Sequence, residues 1–166
     1  MFGIRGLDGF GLVHGIFGLL ALVFGLAVFL QRKGTPSHRN WGYAYAVSML
    51  LLNVTALVIY DLFGRFGPFH YAAVFSLATV LAATVPAMLK RPAAWLDFHA
   101  MFMSWSYVGL VAAFIAEIAV RVPGVAFGAG TIFSMILAVA GGAVLIHTRV
   151  PKLITRLRAP PPVSVR

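Results

Sequence analysis

Five apolar blocks separated by short polar stretches dominate the chain: roughly Phe10 to Leu30, Trp41 to Leu62, Phe69 to Leu89, Leu96 to Val120 and Val125 to Ile146. A helix needs about 20 predominantly apolar residues to cross the hydrocarbon core of a bilayer, and each block is long enough. The pattern predicts an all-α integral membrane bundle of about five transmembrane helices. Proline punctuates it: Pro36, Pro68 and Pro92 stand ahead of blocks, where the missing N–H suits a first helical turn. Pro123-Gly124 separates the fourth block from the fifth. Pro86 lies inside the third and should kink it, freeing a carbonyl for a neighbouring helix to satisfy.

The polar stretches carry an asymmetric charge. Ten cations border one set of helix ends: Arg32, Lys33, Arg39, Lys90, Arg91, Arg149, Lys152, Arg156, Arg158 and Arg166. Only Arg5, Arg65 and Arg121 border the other. The positive-inside rule then sets the N-terminus outside and the C-terminus in the cytoplasm, consistent with an odd number of spans. Localisation in a bacterial cytoplasmic membrane follows as an expectation. The first block runs straight into Gln31-Arg32-Lys33 with no small-residue cleavage site, so it reads as a retained span rather than a signal peptide. Residues 1–150 read as one transmembrane domain and 151–166 as a basic, Pro-rich cytoplasmic tail, its Ala159-Pro160-Pro161-Pro162 extended.

Composition sharpens this picture. The chain is 61% hydrophobic and 10% charged, against about 45–50% apolar in soluble domains. A net charge of +9 in a soluble protein would point to nucleic acid, but here the cations border spans and suit anionic headgroups. The bilayer is therefore the expected partner and nucleic acid is not. With no cysteine, disulfides, thiolate metal sites and covalent haem attachment are excluded. No Gly-x-Ser-x-Gly elbow, phosphate loop or His-Glu-x-x-His motif is present, and no side chain stands out as a nucleophile.

Histidine is the candidate chemistry. His14, His38, His70 and His99 fall at the ends of four different blocks. The expected topology puts His14 and His70 near the outer face, His38 and His99 near the inner one. Spans one and three run parallel, as do two and four, so each pair can face across the interior and hold one ligand. His147 ends the fifth block among cations, where an interfacial role suffices. Gly18 follows His14 and Gly42 follows His38 by four residues, on the same helical face. Such glycines leave room for a flat macrocycle, and equally for a close-packed helix.

A metal reading competes at the outer end. Glu117 lies about 27 Å along a helix from His99 at 1.5 Å per residue, which brings it level with His14 and His70. With Asp61 these residues offer nitrogen and oxygen ligands for zinc or another divalent ion. Alternatively Glu117 pairs with Arg121 one turn on. Asp97 is expected to meet Arg39 or Lys90. Trp41 and Trp95 suit an interfacial belt, while the deeper Trp105 either packs in the core or lines a cofactor.

His38-Arg39-Asn40-Trp41-Gly42-Tyr43-Ala44-Tyr45 resembles the His-Arg-x-x-Gly-x-x-Tyr signature of a bacterial membrane protein family known as domain of unknown function 2306. His99-Ala100-Met101-Phe102-Met103-Ser104-Trp105-Ser106-Tyr107 is similar to its second signature, His-x-x-Trp-Met-x-x-Ser-Tyr, with Phe102 in place of the tryptophan. His14 with Gly18 and Gly25, and Phe66-Gly67-Pro68-Phe69-His70, extend the resemblance over roughly residues 10–122. It implies a membrane bundle and brings little function. The histidine order is also similar to that of transmembrane di-haem b-type cytochromes, although His38 and His70 sit at shallower positions. Three readings stand. One is a redox protein with one or two b haems on His14, His38, His70 and His99, serving a redox partner. Another is a metal protein or hydrolase using His14, His70 and Glu117. The last is a subunit or assembly factor of a larger membrane complex with no cofactor.

Overall fold

A computed structural model describes residues 9–60, 64–119 and 127–159. It contains α1 (Gly9–Leu30), α2 (Pro36–Val58), α3 (Pro68–Leu89), α4 (Trp95–Ala119) and α5 (Phe127–Arg158), and no strand among the described residues. All five helices are long and apolar enough to span a membrane.

Local chemistry sets the boundaries. Pro36 and Pro68 are the first residues of α2 and α3, as their fixed φ favours. Thr35 caps α2: its hydroxyl oxygen accepts from the His38 N–H at 3.2 Å and donates to the Arg32 carbonyl at 2.8 Å. Pro92 instead belongs to the turn before α4, where its carbonyl accepts from the Trp95 N–H at 2.9 Å. The largest departure from the sequence reading is α5. It runs 32 residues, about 48 Å at 1.5 Å per residue, through Pro151 into the segment read as a tail. Apolar Ile146, Val150 and Ile154 repeat every fourth residue and bury against Leu96, Ala100, Met101 and Trp105, so packing extends the helix beyond the apolar block. Trp105 is thereby a packing residue between α4 and α5. Asp97 pairs with Arg158, which this extension carries alongside the start of α4, rather than with Arg39 or Lys90. Residues 160–162 lie outside the described residues.

Helices α1 to α4 close a ring, α1 packing on α2 and α4, and α3 on α2 and α4; α5 packs along α4 outside it. Short connections make successive helices antiparallel, so α2 and α4 run parallel on one diagonal and α1 and α3 on the other. The ring encloses Ala21, Tyr45, Met49, Val80 and Leu110. On the α2–α4 diagonal the Tyr45 and Ser106 hydroxyls hydrogen-bond at 2.8 Å, both buried. Gly25 is required beside them, because a Cβ there would collide with the Tyr107 ring, whose hydroxyl donates to the Leu22 carbonyl at 3.2 Å. Beside these larger residues the buried positions are mostly small or polar, among them Ala83, Ala112, Ala116, Ser48 and Ser104. Large apolar ones face outward: Leu30, Phe75 and Phe133 are 76%, 76% and 70% exposed. In water such a surface would be a gross liability; in lipid it is the solvent-facing side.

Candidate functional site

At one end of the ring α2 and α4 begin and α1 and α3 finish. His38, in the first turn of α2, and His99, in the second turn of α4, meet there across the diagonal. Their ring centres are 6.3 Å apart and their planes perpendicular. His99 is held by its Nδ1–H, which donates to the Ala83 carbonyl of α3 at 3.0 Å. That carbonyl lies three residues before Pro86; the carbonyl that the proline's missing N–H leaves free is the one before it, that of Ala82. With the proton on Nδ1, His99 presents a bare Nε2. A ring whose second nitrogen is tied to a carbonyl is the usual setting of a metal-ligating histidine.

His38 lies with its ring beside the Val28 carbonyl of α1, and its Nδ1 is buried without a hydrogen-bond partner. Thr84, next to Ala83 and so within about 1.5 Å of the same level, also buries an unpartnered hydroxyl. Unpaired buried polar atoms are costly, so both of these groups are open to a further partner. One turn deeper on α2, a Cβ built on Gly42 meets no atom within 4 Å, whereas one on Gly18 would touch Leu52 at 3.5 Å. The two glycines therefore differ: Gly18 packs against a helix and Gly42 faces space. Seven residues deeper, about 10 Å, the Tyr45–Ser106 pair closes the diagonal.

Lys33, in the α1–α2 connection, borders the same layer. Its ammonium donates to the Val28 and Phe29 carbonyls at 2.8 and 3.0 Å and lies 5.5 Å from the Phe29 ring centre. Burial holds it below the usual lysine pKa.

The other end is built differently. His14 Nδ1 and the Thr55 hydroxyl of α2 are 3.0 Å apart. Thr55 gives its single proton to the Leu51 and Leu52 carbonyls, at 2.8 and 2.9 Å, so His14 is the donor. Glu117 is exposed on α4 and within electrostatic range of His14. His70 is 3% exposed, its ring centre 4.5 Å from that of Tyr60 and 4.7 Å from that of Phe66. Its Nδ1 accepts the Gly67 N–H at 3.1 Å, which places its proton on Nε2, itself buried and unpartnered. A metal at that Nε2 would move the proton to Nδ1 and break the cap. No group of three or more His, Asp or Glu side chains among the described residues could hold a metal ion, so His14, His70 and Glu117 are not brought together as a cluster. Asp61 and Arg121 lie outside the described residues, and His147 is exposed on α5.

Sequence reasoning found the four histidines and missed their holders. Thr55 and the Ala83 carbonyl come from other helices, and nothing in the sequence beside the histidines signalled either.

Five apolar helices with an outward apolar surface define a multi-pass membrane protein. The sequence profile of the family described as Predicted membrane protein (DUF2306) matches residues 11–155, and the chain belongs to that family. No curated protein and no solved structure matches the chain.

Proposed function

We propose that this protein is a redox protein of the bacterial cytoplasmic membrane that binds one b-type haem between His38 and His99. The observation that carries the reading is the spacing of the two rings, 6.3 Å centre to centre, with His99 fixed through Nδ1 and a buried, unpartnered Nδ1 on His38. Two imidazoles sharing a metal through bonds of about 2.0–2.1 Å have ring centres about 6 Å apart when their nitrogens face each other across it. A direct N–H···N hydrogen bond of about 3 Å would draw the centres to about 5 Å. The open face of Gly42 supports a macrocycle over a bare ion, since a flat ring needs clearance one turn beyond its ligand.

When bound, haem supplies one-electron exchange at iron. The chain supplies everything else. His38 and His99 offer nitrogens from opposite sides of one diagonal. Ala83 holds the His99 ring and its tautomer. The Tyr45–Ser106 pair and the apolar layer around Met49 keep the deep side dry. The asymmetry of cations favours an outside N-terminus with this end at the cytoplasmic face, within reach of a soluble or membrane-bound redox partner. A second haem has less support, because His70 already uses its Nδ1 as the cap of α3.

Titration of detergent-purified protein with haem tests the reading. His38→Ala and His99→Ala should each abolish the low-spin b-type spectrum, and His14→Ala and His70→Ala should retain it. Retention in the first pair would remove the site, and zinc or copper bound at one per chain without porphyrin would replace haem by a bare ion.

A further inference from the structure

Lys33 does more at this end than its helix-capping bonds require. Two of its three N–H groups donate to the Val28 and Phe29 carbonyls in the last turn of α1, an ordinary role for a lysine there. The third remains available. The ammonium is half-buried, and the Val28 carbonyl that it grips also lies beside the His38 ring. A cation therefore stands next to a candidate ligand imidazole in a partly desolvated place, where an unpaired charge is unfavourable and an anion would be held strongly.

Among the described residues no acid is placed to meet it. Its sequence holds four acids. Asp97 is engaged by Arg158. Glu117 is close to the end of α4 remote from His99. Asp8 and Asp61 lie outside the described residues. Among the described residues no carboxylate pairs with Lys33.

We propose that Lys33 is the anion-binding residue of the His38–His99 site and pairs with a carboxylate on the rim of the bound porphyrin, a propionate. This rests on the haem reading above and adds to it the polarity of the ligand: its acidic edge faces the α1–α2 connection and its apolar edge faces Gly42. An anionic lipid headgroup offers related chemistry, and the experiment separates the two.

Protein in uncharged detergent, free of added lipid, is titrated with iron protoporphyrin IX and with its dimethyl ester, which lacks the carboxylates. Wild type should bind the free acid about tenfold or more tightly than the ester, as one buried charge-assisted contact implies. Lys33→Gln should lose that preference by binding the acid as weakly as the ester, and Lys33→Arg should keep it. Equal affinities in wild type, or an undiminished preference in Lys33→Gln, would overturn the assignment to Lys33 while leaving the haem site in place. A loss of affinity in Lys33→Gln that appears only in vesicles containing anionic lipid, and equally for acid and ester, would also overturn it and assign the cation to headgroups. No haem spectrum in wild type would overturn the site and the assignment together.

Discussion

His38 and His70 occupy the same position in their helices and have different fates. Each is the third residue of a helix opened by proline, in Thr35-Pro36-Ser37-His38 and Gly67-Pro68-Phe69-His70. Ahead of α2 stands Thr35, whose hydroxyl accepts the His38 N–H and satisfies the cap. Ahead of α3 stands Gly67, which has no side chain; there the His70 N–H bonds the Gly67 carbonyl, and the His70 ring turns back to accept the Gly67 N–H. One ring is thereby left for a partner across its own diagonal, and the other is consumed as local structure between Tyr60 and Phe66. An imidazole in a first turn that accepts the N–H of the cap residue is spent on the helix, and one that does not is left for another partner.

This contrast can be broken in order of expected effect. Loss of either member of the free pair, His38→Ala or His99→Ala, is the largest, removing haem altogether. His70→Ala should keep the haem and cost about 2–4 kcal/mol of stability through a lost cap and an emptied aromatic slot. Thermal unfolding in detergent, followed by circular dichroism and by haem absorbance together, separates the two. Thr35→Gly copies the Gly67 arrangement onto α2. It should cost only a few tenths of a kcal/mol in the helix yet weaken haem binding several-fold, as the His38 ring turns back to the residue 35 N–H in the way His70 does to that of Gly67. Haem affinity unaltered by Thr35→Gly would detach the cap from the fate of the ring. The smallest effect belongs to Asp97→Asn, which removes a pair with both side chains about half exposed and should change stability by no more than about 1 kcal/mol.

Much of the fold was legible because length and apolarity alone decide a span; all five blocks are helices. The end of α5 was not. Its continuation is written in Ile146, Val150 and Ile154, but Pro151 and the surrounding cations disguise an amphipathic helix as a tail. The nearness of His38 and His99 was legible from topology, since parallel helices bring residues of equal depth face to face. The outer pair looked equivalent because sequence spacing reports depth and not hydrogen bonding. His70 is decided by the missing side chain at Gly67, and His14 by Thr55, which is 41 residues away. Glycine told half of the story. Gly18 and Gly25 pack against neighbours, while Gly42 faces open space, a distinction that depends on which helix stands opposite.

The central claim is that one end of this bundle holds haem and the other does not. The most direct test is the haem-to-protein ratio of the detergent-purified chain, from its pyridine haemochrome, read beside a dithionite-reduced minus air-oxidised spectrum. One b-type haem per chain with a single sharp α-band is the expected result. A ratio of two would restore the His14–His70 end as a site, and a featureless spectrum from protein made with ample haem would contradict the account.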